Sequence, residues 1–108
     1  MSKDPRKISE AAFQAQVLHY AALRGWMRAH FRPAMNARGQ WRTAVAGDGK
    51  GFPDLVLVRD RVVFAELKAV GGKLEAAQRT WQTALQNAGA EHYIWTPDDW
   101  DELTEVLK

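Results

Sequence analysis

Residues 51–68 read GFPDLVLVRDRVVFAELK, which is the most informative stretch of the chain. It contains two short apolar runs joined by a charged turn, which is the pattern of a β-hairpin. Asp54 opens the first run, and Glu66 and Lys68 lie near the end of the second. Because alternate side chains of a strand share a face, Glu66 and Lys68 point the same way. A turn centred on Asp60 places Asp54 directly opposite Glu66.

The length of that turn determines whether the two acids share a face of the sheet. An odd-length turn puts both carboxylates on one face, whereas a two-residue turn puts them on opposite faces. The odd turn is favoured because Asp60-Arg61 lacks the Gly or Asn that two-residue turns prefer. Directly opposed side chains lie roughly 4.5–5.5 Å apart at Cβ, and like charges placed there are destabilising. Two opposed carboxylates beside a lysine therefore indicate a divalent cation between them, which is the outline of a metal-dependent nuclease site.

The composition indicates a single globular domain over residues 1–108. The apolar fraction of 46% and the charged fraction of 26% are ordinary for a globular chain. No apolar run approaches the roughly 20 residues that span a bilayer. The N-terminus also lacks the apolar segment of a signal peptide. We therefore expect a cytoplasmic protein. The absence of cysteine excludes a disulfide framework and a thiolate zinc site.

Charge is distributed unevenly along the chain. Residues 1–61 carry 11 Lys and Arg against 5 Asp and Glu, whereas residues 62–108 carry 4 against 8. A basic half beside an acidic half suggests one face that attracts phosphate. An ordinary solvated surface would give the same count.

The pattern predicts an α/β domain with the element order αβββαβα. The expected elements are a helix at 10–24, a strand at 26–32, hairpin strands at 54–58 and 62–68, a helix at 74–88, a strand at 92–95 and a last helix from Thr96 to about Leu107. Ser9 is the expected N-cap of the first helix, and a capping box begins the last one. The strand–helix–strand unit makes its two strands parallel within a mixed sheet. Residues 34–52 show no period and are expected to form a long loop.

Gln78 and Glu10 are further candidate site residues. Gln78 lies in the apolar stripe of the second helix, where a buried amide needs a partner such as a water or phosphate over the metal. A Gln at the edge of the stripe that bonds to backbone is an equally good interpretation. Glu10 lies on a helical row that could bring it to the site as a third carboxylate. The alternative is that an acid after the Ser9 cap only stabilises the helix dipole.

Basic and aromatic residues provide candidate contacts to nucleic acid. These are Arg28, Arg32, Arg38, Trp41, Arg42, Lys50 and Lys73. Trp41 could stack on an unpaired base or could pin its loop to the core. The remaining tryptophans, Trp26, Trp81, Trp95 and Trp100, are assigned to packing. The three histidines show no metal-ligand spacing.

The motifs Gly51-Phe52-Pro53-Asp54 and Glu66-Leu67-Lys68, followed by Gln78, resemble the PD-(D/E)xK nuclease superfamily. The resemblance is closer to its VRR-NUC branch and covers about Ser9 to Leu107. It implies a restriction-endonuclease-like αβββαβ core with a mixed four-stranded sheet flanked by helices, plus a C-terminal helix. One departure is Glu75, which stands where the Gln-bearing helix of the family often begins with Ser or Thr.

The resemblance also implies roles for individual residues. Asp54 and Glu66 would ligate Mg²⁺ or Mn²⁺ together with the Leu67 backbone carbonyl, and Lys68 would be the catalytic lysine. Glu10 would be an accessory ligand through water, and Gln78 would organise the site.

The implied activity is phosphodiester hydrolysis. Small stand-alone members, found in phage and bacteria, look like structure-selective endonucleases that act as dimers on branched DNA, including Holliday junctions. By this analogy we expect a homodimer acting on a junction or flap in junction resolution or DNA repair. The alternative is a catalytically idle nuclease fold that binds DNA or a protein partner.

Overall fold

The computed structural model describes residues 8–31, 34–35, 38, 41–42 and 47–108, with the backbone alone for 34–35 and 41–42. In chain order the elements are α1 (Glu10–Leu23), β1 (Met27–His30), β2 (Ala34–Met35), β3 (Trp41–Arg42), β4 (Leu55–Val58), β5 (Val62–Leu67), α2 (Ala76–Asn87), β6 (Glu91–Trp95), a 3-10 turn (Pro97–Asp99) and α3 (Trp100–Leu107). Within the described part of the chain, no helix has the length and apolar character needed to cross a membrane.

A mixed four-stranded sheet forms the centre of the domain, as predicted. Its strand order is β1-β4-β5-β6. The first two pairs are antiparallel, and β5 and β6 are parallel with α2 between them in the chain. Odd-numbered residues of the hairpin, such as Leu55 and Leu67, are fully buried against apolar side chains of α1 and α3, including Phe13 and Leu103. The opposite face of the sheet carries the even-numbered hairpin residues and faces α2.

The register of the hairpin confirms the odd-length turn. Leu55 pairs with Ala65 and Val58 pairs with Val62. The three-residue turn between the strands is closed by the Arg59 N–H, which donates to the Arg61 carbonyl at 3.1 Å. Because the side-chain period of a strand is 2, a slip of one residue would move every hairpin side chain to the other face.

Two arginines of the turn hold this end of the sheet against neighbouring elements. Arg59 donates to the carbonyl of Arg24 at the end of α1 at 2.9 Å, and its guanidinium carbon lies 4.4 Å from the centroid of the Trp26 ring. Arg61 forms an ion pair with Glu91 of β6 at 2.7 Å. These two cations of the basic half of the sequence therefore serve the fold.

The helix ends follow the predicted capping chemistry. The Ser9 hydroxyl accepts from the Ala12 N–H at 3.1 Å, and the chain leaves α1 at Gly25 with φ +83°. At the last helix the Asp99 carboxylate accepts from the Thr96 N–H at 2.8 Å. The capping box is therefore confirmed, although its first turn is 3-10 rather than α.

The segment 34–52 differs from the expected loop. β2 and β3 form a small antiparallel ladder in which Ala34 pairs with Arg42 and Met35 pairs with Trp41. Strands of two residues are too short to show a period of 2 in the sequence, so the prediction of a segment without strands was wrong. Arg32, in the expected strand 26–32, lies outside the described residues.

The second helix is shorter than predicted and is only half-buried. It begins at Ala76 instead of 74 because Glu75 is its N-cap, and it ends at Asn87. Trp81 and Leu85 are half-buried, whereas Ala88, which follows the last residue of the helix, is exposed. No residue of α2 is fully buried, so one flank of this helix remains accessible.

Candidate functional site

The hairpin register brings the two predicted carboxylates to one end of the sheet. The ladder of β4 and β5 begins at Leu55 and Ala65, and one further step in the same register places Asp54 across from Glu66. The Asp54 carbonyl accepts from the Phe31 N–H at 2.9 Å. Its Oδ2 accepts from the Leu67 N–H at 3.0 Å. Asp54 is therefore bonded to both neighbouring strands, and its carboxylate is held in place.

Glu66 is a carboxylate in the interior of the protein. Its residue is 0% exposed. Oε2 accepts from the Gln78 side-chain amide at 3.3 Å, while the buried Oε1 has no hydrogen-bond partner. Burial raises the pKa of Glu66 to about 9, and the negative charge of Asp54 adds to the shift. A buried acceptor without a partner costs free energy unless something binds it.

Lys68 lies beside these carboxylates at the end of β5. Its N–H donates to the Trp95 carbonyl at 2.9 Å, which extends the parallel pairing of the sheet. Its positive charge lowers the pKa of Glu66 against the effect of burial, so the ammonium is within electrostatic reach of the site. Gly72 folds over the Lys68 stem: a Cβ at position 72 would lie 3.2 Å from the Lys68 Cβ and 3.0 Å from the Ala69 carbonyl oxygen. This turn therefore limits where the lysine side chain can go.

Gln78 connects the start of α2 to the buried acid. Its Oε1 accepts from the Glu75 N–H at 2.9 Å, and its Nε2 donates to Glu66 at 3.3 Å. The oxygen satisfies one of the free N–H groups at the helix N-terminus, and the nitrogen satisfies one oxygen of Glu66. The backbone partner expected from the sequence is therefore observed, and the amide also reaches Glu66, while its contact with a water or phosphate over a metal stays a prediction.

Glu10 approaches the same site from α1. It is the first residue of the helix and is mainly exposed. Partial desolvation raises the pKa of Glu10, while the charge of Lys68 lowers it and that of Asp54 raises it. Glu10 therefore lies within electrostatic reach of Asp54 and Lys68. Among the described residues, however, no three His, Cys, Asp or Glu side chains are close enough together to hold a metal ion.

The structure describes the side chains of four of the seven predicted nucleic-acid contacts. Arg28 donates to the Leu18 carbonyl at 3.3 Å on the α1 side of the sheet, so it is not brought to the carboxylates. Arg38, Lys50 and Lys73 are exposed. Arg32 and the side chains of Trp41 and Arg42 lie outside the described residues.

The segment before Asp54 packs closely on α2, which sequence reasoning did not anticipate. Gly51 has φ +82°, and a Cβ there would lie 2.4 Å from the backbone carbon of Ala77. The next residue, Phe52, places its ring 4.9 Å from that of Trp81 in an edge-to-face contact. The signal in the sequence was the Gly-Phe-Pro-Asp motif, but only the fold shows that its glycine permits contact with the helix.

The donor set of the site suits a divalent cation with oxygen ligands. Two carboxylates, one with an unpartnered buried oxygen, and the nearby Leu67 backbone carbonyl are the hard oxygen donors that Mg²⁺ or Mn²⁺ would take. With only two acids close together, water would fill the remaining positions, and Glu10 would act through such a water. A cation would also offset the repulsion between the two opposed acids.

The mixed sheet flanked by helices, with opposed acids and a lysine at the end of a hairpin, agrees with the arrangement expected of a PD-(D/E)xK nuclease domain. The family model of the VRR-NUC domain matches residues 10–96. The chain belongs to the VRR-NUC family, a nuclease family of the PD-(D/E)xK superfamily. No curated protein and no solved structure matches the chain significantly.

Proposed function

We propose that this protein is a metal-dependent endonuclease that hydrolyses phosphodiester bonds in DNA. The observation that carries the proposal is the opposed pair of Asp54 and Glu66, in which Glu66 is fully buried and its Oε1 has no partner. A protein that needed only the fold would be more stable with an apolar residue at this position, because an unpaired buried acid is costly.

Each residue of the site has a distinct role in the proposed reaction. Asp54 and Glu66 would hold the cation with the Leu67 carbonyl, and Glu10 would position a water at its outer side. A bound divalent cation would polarise the scissile phosphate and lower the pKa of the attacking water. Lys68 would balance the charge that develops on the phosphate oxygens. Gln78 would keep Glu66 in place from α2.

Branched DNA and a homodimer are the finer parts of the proposal. Both come from the resemblance to small members of the family. A two-fold enzyme suits a four-way junction because the junction offers two equivalent strands. Asp54 and Lys68 are partly exposed, so a DNA backbone can approach the site at this end of the hairpin.

The test is cleavage of end-labelled DNA with Mg²⁺, Mn²⁺ or EDTA. The substrates are a four-way junction, a 5′ flap and a plain duplex of matched sequence. We expect cutting only with a metal. The cleavage rate of the Lys68→Ala variant should fall on the order of 100- to 1000-fold, as for other groups that stabilise transition-state charge. The control is Lys108→Ala, which removes an exposed lysine 40 residues after Lys68 in the sequence. This variant should cleave DNA at the wild-type rate.

Two outcomes would contradict the proposal. One is cutting that persists in EDTA, because the carboxylate pair would then have no cation to hold. The other is DNA binding by folded protein without cutting of any substrate by either metal. That second result would establish the idle binding module instead.

A further inference from the structure

A cleft of about 460 Å³ lies between α2 and the segment 47–50, next to the proposed site. One wall carries Asp48 and Lys50, and the other carries Ala77, Thr80, Trp81 and Ala84 of α2. The four helical residues follow the i, i+3, i+4, i+7 spacing of a single helix face. At a rise of 1.5 Å per residue, the cleft runs along the helix for about 10 Å.

The inner end of the cleft lies one residue along α2 from the site. Ala77 lines the cleft and precedes Gln78, whose amide contacts Glu66. The backbone of Gly51, three residues before Asp54, lies against Ala77, and a Cβ there would be 2.4 Å from the Ala77 backbone carbon. A strand whose phosphate reached a cation held by Asp54 and Glu66 would therefore have its neighbouring nucleotide within reach of the cleft.

The aromatic wall of the cleft is held in a fixed orientation. The Trp81 indole N–H donates to the Asp48 carbonyl at 2.9 Å, which ties the helix to the opposite wall. The Phe52 ring contacts Trp81 edge to face at 4.9 Å. A pocket with a fixed aromatic side chain requires little reorganisation when a ligand binds.

The chemistry of the walls distinguishes between ligands. The lining residues are one Trp, two Ala, one Thr and one Gly with one Lys and one Asp, so their formal charges cancel. A bare phosphate would meet the Asp48 carboxylate as well as Lys50. A nucleobase fits this lining better, since its π-face suits the aromatic wall and its N–H groups suit a carboxylate, while Lys50 takes the adjoining phosphate.

We propose that this cleft binds one unpaired nucleobase of the DNA strand, adjacent to the phosphate that is cut. The inference rests on the proposed nuclease function and deepens it. A base can enter a cleft between a helix and a loop only after leaving the duplex stack, and this costs least where the base is already unpaired. The cleft would thereby favour junctions, flaps and single strands over intact duplex.

The test is DNA binding in EDTA, measured by fluorescence anisotropy with a labelled single strand and a blunt duplex of the same sequence. Ala84→Phe fills the cleft from an exposed helix position, and Thr83→Phe places the same ring on an exposed neighbouring position that does not line it. We expect Ala84→Phe to weaken single-strand binding about 10-fold, in line with the loss of one stacked base. Thr83→Phe should change it less than about 2-fold, and duplex binding should be unaffected by either variant.

Lys50→Ala provides a second variant that leaves the helix intact. It should weaken single-strand binding and reduce the slope of log affinity against log salt by about 1, since one phosphate contact is lost. Equal effects of Ala84→Phe and Thr83→Phe, or equal effects on single strand and duplex, would overturn the proposal. An unchanged affinity of all three variants would do the same.

These results separate the cleft from the reaction. If single-strand binding depends on the cleft but no DNA is cut with metal, the cleft assignment stands and the nuclease proposal fails. If DNA is cut with metal and Ala84→Phe leaves the preference between flap and duplex unchanged, the nuclease stands and the cleft assignment fails.

Discussion

The burial of Glu66 predicts a specific pH dependence of stability in the metal-free protein. Its pKa is raised from 4.5 to about 9 in the folded chain, with burial as the largest cause. The folded state therefore holds a proton that the unfolded state releases above its ordinary pKa. Stability rises with pH only where the unfolded state binds more protons, so here it must fall as pH rises. The contribution is complete near pH 4.5 and is lost progressively up to about pH 9.

The size of this effect follows from the shift itself. One pH unit within that window corresponds to at most about 1.4 kcal/mol. Between about pH 6 and about pH 8 the metal-free protein should lose about 2–3 kcal/mol of its free energy of unfolding through this one group. That is a large share of a stability that is typically about 5–15 kcal/mol.

The assay is urea denaturation in EDTA at a series of pH values, comparing the wild type with Glu66→Gln. The amide has nearly the same shape and can still accept from Gln78, but it does not titrate. The free energy of unfolding of the variant should therefore fall less steeply with pH, and the variant should be the more stable protein at about pH 8. Glu102→Gln, which removes an exposed acid of α3, controls for a general loss of charge and should follow the wild type.

Two results would refute the reasoning. Parallel pH profiles for wild type and Glu66→Gln would mean that this carboxyl is not held in its protonated form by the fold. If Mg²⁺ stabilised Glu66→Gln as much as it stabilised the wild type, Glu66 would not be a ligand. The expected stabilisation by Mg²⁺ is greatest at high pH, where the proton has left and the two acids repel each other.

Substitutions at three further positions test how the site is held. Gly51→Ala should destabilise the protein by about 2–4 kcal/mol in urea denaturation, because it combines a positive φ with a clash against Ala77. Gly72→Ala displaces the Lys68 stem, so its loss of cleavage rate, expressed as a free energy, should exceed its loss of free energy of unfolding. An unchanged cleavage rate would mean that the lysine has room to move. Gln78→Ala should cost about 1–2 kcal/mol by removing both of its bonds, and Gln78→Glu should restore the bond to the helix start but not the donor to the buried acid.

The hairpin shows why much of the site could be predicted from the sequence. The pairing of Asp54 with Glu66 depends on only two local features, the period of 2 in a strand and the length of the turn around Asp60. Both can be read from the chain, and the observed register agrees with them. The side of the sheet occupied by Lys68 follows from the same alternation.

The cleft and the contacts of α2 could not be obtained in this way. The spacing of Ala77, Trp81 and Ala84 on α2 is that of an ordinary core-facing stripe, and Trp81 was therefore assigned to packing. The segment 47–50 is held beside the helix by the Gly51 contact and by the bond from Trp81 to the Asp48 carbonyl, and Trp81 remains partly exposed. These are tertiary relations between segments about 30 residues apart, and no local period encodes them. The two-residue strands escaped prediction for a related reason, since a ladder of two pairs leaves no pattern to detect.

The far end of the sheet explains how the chain tolerates opposed acids at the site. A one-residue slip of the hairpin would separate Asp54 from Glu66, but it would also turn buried residues such as Leu55 and Leu67 out of the core. Arg59 adds to this constraint by donating to the carbonyls that end α1 and follow α3, where cations also complement the helix dipoles. Arg61 adds a bond to the carbonyl of Val106. Because these bonds fix the turn residues, the hairpin cannot slip without losing them, and the carboxylate pair stays assembled before any cation binds.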